Sequence, residues 1–131
     1  MSTKATALFA VQAWEESPYF ESEGEPKLTR AQVKKTFTGD IEGEGEVEYL
    51  MTHRPDGTAV FIGQERIVGK LGGKQGSFIL QHDGTFEAGV AKGRCVVVHG
   101  SGTGGLQGLR GEGIYEALGR EAPFDLDYEF E

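Results

Sequence analysis

Residues 41–53 read IEGEGEVEYLMTH, and this stretch decides the architecture. Its odd positions carry Ile41, Val47, Tyr49 and Met51, while Glu42, Glu44, Glu46 and Glu48 occupy the even ones. Alternation with a period of two is the mark of a strand with one buried and one wet face, and no helix can use it. The C-terminus repeats the pattern, with Phe124, Leu126, Tyr128 and Phe130 set against Asp125, Asp127, Glu129 and Glu131. Elsewhere glycines interrupt nearly every window in which a helical stripe could develop. The chain therefore reads as all-β.

Extending the same reading outward predicts eight strands, near residues 5–15, 28–38, 41–54, 58–71, 74–86, 90–99, 105–117 and 123–131. Most connections are short. Pro55-Asp56-Gly57 has the chemistry of a three-residue hairpin, and Gly72-Gly73 that of a two-residue one. Sequential hairpins, each strand with one apolar face, point to a closed antiparallel up-and-down barrel spanning residues 1–131 as a single domain, because closure removes the exposed edges of a flat meander. A two-sheet sandwich is the alternative. The acidic segment from Glu16 to Lys27 is expected to be a solvated loop, placed where it could cover a barrel mouth.

Composition narrows the function. Lys plus Arg number 13 against 21 Asp plus Glu, and the net charge of -8 repels a phosphate backbone, so nucleic acid is not an expected partner. The single cysteine, Cys95, excludes an internal disulfide. No apolar run is long enough for a membrane helix, and the first residues lack an export signal, so a cytoplasmic location is expected. Gly100-Ser101-Gly102-Thr103-Gly104-Gly105 contains a literal G-x-G-x-x-G. The next residues, LQGLRGEGIYE, alternate like a strand, so no helix N-terminus is available for a pyrophosphate, and the glycine-rich segment reads as a flexible connection.

Hairpin loop length fixes which residues face each other. The two turns set Met51 opposite Phe61, Tyr49 opposite Gly63, Val47 opposite Glu65, Glu65 opposite Leu80 and Gly63 opposite His82. Glu65 is the one acid on this inward row, with Tyr49 and His82 at diagonal positions, so these three form the candidate catalytic cluster. Met51, Phe61, Gly63, Phe78, Leu80, Cys95 and Tyr115 are the expected ligand contacts. The next strand is expected to turn Cys95 and His99 inward, yet a lone buried cysteine is ordinarily a small hydrophobe. His53, His82 and His99 lack local ligand spacing, so neither metal nor cofactor is expected. Glycine makes up 21 of 131 residues, more than twice the usual share of about 7%. Inward glycines such as Gly45, Gly63, Gly93 and Gly113 would leave a cavity unless facing aromatics fill them.

The stretches PKLTRAQVKKTFTGDIEGEGEVEYL, GTAVFIGQERIVGKLGGKQGSFILQHDGTFEAG and GSGTGGLQGLRGEGIYE resemble the bacterial DUF3224 family over nearly the whole chain. The resemblance implies a barrel of the allene oxide cyclase-like (calycin-like) type, related in shape to dirigent proteins and to cyclases that fold an apolar substrate inside a cavity. It transfers no catalytic residue. Three functions are therefore expected in descending order. The first is binding of a small apolar or amphipathic molecule inside the barrel. The second is a cofactor-independent cyclase or isomerase, with Glu65 moving a proton beside His82 or Tyr49. The third is a homo-oligomeric interaction protein with a filled barrel, using outward Val60, Ile62, Val68, Ile79, Val96, Val98 and Ile114 if these are contiguous.

Overall fold

A computed structural model describes residues 2–131. The strands are β1 (Thr3–Phe20), β2 (Lys27–Gly39), β3 (Ile41–His53), β4 (Ala59–Leu71), β5 (Lys74–Glu87), β6 (Val90–Val97), β7 (Leu109–Ala117) and β8 (Glu121–Phe130). Each pairs antiparallel with its neighbours in chain order, and β8 returns to β1 to close the barrel. Register follows the turns. Met51 faces Phe61, Tyr49 faces Gly63 and Val47 faces Glu65, while across the next hairpin Glu65 faces Leu80 and Gly63 faces His82. The two-residue turn has Gly72 at φ +58 and Gly73 at φ +86, the left-handed pair that matches the strand twist.

Two expectations fail at the ends. The first strand does not stop at residue 15. Trp14 pairs with Val33, Glu16 with Ala31 and Phe20 with Leu28, so the expected loop shrinks to residues 21–26. The acidic, proline-bearing sequence misleads because beyond Val11, whose N–H still donates to the Arg120 carbonyl at 2.8 Å, this strand pairs with β2 alone. An edge strand tolerates proline and charge that an interior strand would not.

The connection after β6 is also more ordered than expected. Thr103 N–H donates to the Ser77 carbonyl at 2.9 Å, Ser77 N–H donates to Thr103 Oγ1 at 3.0 Å, and Ile79 N–H donates to Ser101 Oγ at 3.1 Å. The segment thus takes the place of a strand beside the start of β5, and the 3-10 turn Gly104–Leu106 drops Leu106 fully into the core. Residues 105–108 accordingly stay outside β7, which begins at Leu109. Because β6 ends at Val97, the alternation lapses before His99, whose exposed ring bonds Glu131 on the outside at 2.6 Å.

The core divides into two apolar clusters. The larger holds Ile41, Leu71, Phe78, Leu106, Leu109 and Leu126 toward one end, together with Phe9, Phe37, Tyr115 and Phe124. The smaller holds Ala31, Val33, Val47, Tyr49, Met51 and Phe61 toward the other.

Candidate functional site

Between the two clusters lies a layer of buried charge. The inward row of β2 is Thr29, Ala31, Val33, Lys35 and Phe37, so the pleat carries Lys35 into the barrel, where it is only 4% exposed. Its Nζ donates to the Tyr49 hydroxyl at 3.0 Å and to Glu65 Oε1 at 3.4 Å. The ammonium also stands 4.6 Å from the centre of the Phe9 ring, a favourable cation–π distance. The sequence reading missed this residue. The signal was present, since Ala31, Val33 and Phe37 fix the parity that Lys35 shares.

Glu65 is fully buried beneath it. Burial, the largest single influence, raises its pKa, but the Lys35 ammonium and His82 together outweigh that effect and hold the carboxyl below its ordinary 4.5. Burial, aided by Lys35, lowers the His82 pKa below 6.5 against the pull of Glu65, so the ring is neutral. A carboxylate can only accept. His82 Nε2–H therefore donates to Glu65 Oε1 at 2.8 Å, leaving Nδ1 to accept the Tyr115 hydroxyl at 3.2 Å. The other oxygen, Oε2, has no hydrogen-bond partner among the described residues. It lies against Gly45, where an added Cβ would collide with it and come within 2.9 Å of the Phe37 ring. The space shared there by Phe37, Glu65, Leu80 and His82 is too tight for a water molecule.

The remaining groups of the layer stay protonated. Burial raises the phenol pKa of Tyr49 and of Tyr115. Cys95 faces His82 across β5 and β6, but burial pushes its thiol up to about 12, which leaves no thiolate for nucleophilic attack near neutral pH.

Above this layer the barrel opens into a cavity of about 310 Å³. Its walls include Phe9, Trp14, Met51, Phe61 and Tyr115, with Gly89 and Gly119 from the turns at the rim. Among the described residues Lys35 is the one ionised side chain that lines it, and Tyr49 lines it too. Of the residues singled out from sequence, Tyr49, Met51, Phe61 and Tyr115 meet around this space. Glu65 and His82 lie one layer below, and Gly63, Phe78, Leu80 and Cys95 do not reach it. The inward glycines do not create the vacancy, because rings from adjacent strands fill them. Tyr49 covers Gly63, Phe61 covers Gly84, Tyr115 covers Gly93 and Phe124 covers Gly113. The opening lies instead where strands end.

At the rim Trp14 stacks on Tyr49 at 6.1 Å between ring centres, and its indole N–H donates to Glu16 Oε1 at 2.9 Å. Glu16 Oε2 accepts the Thr29 hydroxyl and bonds His53 Nε2, both at 2.7 Å. The extension of β1 thereby holds an aromatic wall in place. On the outside, the cross-strand row runs Leu50, Ile62, Asp83, Arg94, Ile114, so an Asp83–Arg94 ion pair separates Ile114 from Leu50 and Ile62 along that row.

No helix among the described residues is long and apolar enough to cross a membrane. No curated protein matches the sequence. The solved structure of a protein of unknown function from the DUF3224 family of Shewanella oneidensis MR-1 matches with a TM-score of 0.82 at 32% identity, over 100% of this chain and 99% of that one. The family profile described as "Protein of unknown function (DUF3224)" matches residues 5–130. With a family profile matched over residues 5–130 and a solved member alike in fold over nearly its full length, this chain belongs to the DUF3224 family.

Proposed function

We propose that the protein binds a small, largely apolar molecule in the cavity at the open end of the barrel. The observation that carries this reading is a cavity of about 310 Å³ with mostly apolar and aromatic walls and a single charged group, Lys35, at its floor. That is the make-up of a ligand site, in which greasy walls supply affinity and a few placed polar atoms supply orientation. At about 310 Å³ the cavity lies at the small end of ligand pockets, which run from roughly 300 to 1,000 Å³.

An isomerase reading has weaker support. Glu65 does not line the cavity, and its carboxylate is already engaged by Lys35 and His82. A general acid or base must come within hydrogen-bond reach of the proton it moves. In the binding reading Glu65 positions Lys35 and His82 and does no chemistry itself.

Trp14 is the chain's one tryptophan and lies in the cavity wall, which makes it an intrinsic reporter. Titration with medium-chain apolar compounds should change its emission saturably. Ala91→Phe, which fills the cavity from the β6 wall, should abolish the response. A non-saturating response, or one that Ala91→Phe leaves intact, would overturn the proposal.

A further inference from the structure

We infer that the ligand presents an uncharged hydrogen-bond acceptor, such as a ketone or ester carbonyl, to Lys35, and that the site discriminates against carboxylates. The inference rests on the binding role proposed above and specifies the ligand's chemistry. It comes from counting charges in the layer beneath the cavity. Lys35 contributes one positive charge and Glu65 one negative charge, 3.4 Å apart, while burial keeps Tyr49, Tyr115 and Cys95 protonated and holds His82 below its ordinary pKa. The pair is electrically complete before any ligand arrives.

Among the described residues no second cation or anion lines the cavity to alter that balance. A carboxylate entering such a space would lose its hydration and leave the buried layer with one uncompensated negative charge, the costly arrangement in a low-dielectric interior. A neutral acceptor escapes this cost and still finds a donor. An ammonium has three N–H groups, of which Tyr49 and Glu65 engage two. The third has no hydrogen-bond acceptor among the described residues and only the face of the Phe9 ring beside it, 4.6 Å from the ammonium, and both Lys35 and Phe9 line the cavity. An acceptor there would receive a charge-assisted hydrogen bond, stronger than one between neutral groups.

Methyl nonyl ketone and decanoate have the same number of non-hydrogen atoms and differ in the head group. The full-length protein is titrated with each near neutral pH, following Trp14 emission and confirming by calorimetry. The expected result is at least tenfold tighter binding of the ketone. Its carbonyl stretch, read by difference infrared spectroscopy with a carbon-13 label, should move to lower frequency on binding. Glu65→Gln removes the internal counter-charge while conserving shape, and should raise decanoate affinity at least tenfold relative to the ketone.

Equal or tighter binding of decanoate by the unaltered protein overturns the inference while leaving the binding role intact. So does a carbonyl band that binding leaves unshifted. Failure of both compounds to bind removes the binding role, and the inference with it. If Glu65→Gln does not fold, the affinity ratio and the infrared band of the unaltered protein decide the matter.

Discussion

The two ends of the barrel are built from the same eight strands and differ in the connections that join them. At the closed end, the segment after β6 bonds to the start of β5 and inserts Leu106, which packs with Ile41, Leu71 and Leu109. At the open end the turns leave Gly89 and Gly119 at the rim, no side chain among the described residues descends to fill the centre, and β1 runs on to carry Trp14 along one wall. Vacancy is therefore a property of the connections, while the strands supply the lining. The charged layer of Lys35, Glu65 and His82 marks the level at which one regime gives way to the other.

The most severe way to break this contrast is to break the charged layer. Glu65→Leu strands the Lys35 ammonium in the core, and loss of one partner of a buried pair is expected to cost about 3–5 kcal/mol. Lys35→Met combined with Glu65→Leu should recover a large part of that loss, because a hydrophobic replacement of both partners leaves no orphaned charge. Urea denaturation of the two variants measures the difference. Equal stabilities would show that the pair is not coupled as its geometry requires.

Next in size is the plug. Leu106→Ala empties a fully buried position and is expected to cost about 2–5 kcal/mol, with the spread set by how far the loop collapses. Binding at the other end should persist, since Leu106 has no part in the cavity wall. A change in ligand affinity as large as the change in stability would mean that the two ends are not independent.

Gly93→Ala tests whether inward glycines are recesses for rings. A methyl group there would meet the Tyr115 ring, with Cε1 at 2.6 Å, and overpacking of this kind costs about 1–3 kcal/mol. Pairing it with Tyr115→Leu should relieve the cost. If Gly93→Ala were neutral and merely reduced ligand affinity, glycine would be supplying cavity volume after all.

Strand pairing was legible in the sequence because turn chemistry and alternation are local signals. Pro55-Asp56-Gly57 and Gly72-Gly73 fix three strands in register, and that register places Glu65 and His82 on the same inward row. Two features were illegible for different reasons. Residues 16–20 read as loop because charge and proline argue against a strand with two neighbours, whereas here the strand has one. Lys35 was overlooked beside Lys34 because residue type suggested solvent, although parity with Val33 and Phe37 pointed inward. The cavity was inferred from missing side chains, but whether a recess stays empty depends on rings from neighbouring strands, and single-strand patterns do not report that.

The smallest expected effect distinguishes the charged layer from the exposed ion pairs. His82 has a folded pKa below its ordinary 6.5 and Glu65 one below 4.5, so in both windows the unfolded chain binds protons that the folded chain refuses. The contribution of His82 is thus complete above pH 6.5 and is lost as pH falls from there toward its folded value. Glu65 comes next, its contribution complete above pH 4.5 and lost as pH falls through its own folded value. Acidification should therefore erode stability in two stages, the upper one no steeper than about 1.4 kcal/mol per pH unit for a single proton. His82→Gln keeps an N–H for Glu65 but cannot titrate, so subtracting its urea-derived stability curve from that of the unaltered protein cancels every group unaffected by the change. A difference that grows from pH 6.5 downward identifies His82 as the upper stage. A flat difference would mean that the imidazole is protonated in the folded barrel as readily as in the unfolded chain, and the neutral ring between Glu65 and Tyr115 would have to be abandoned.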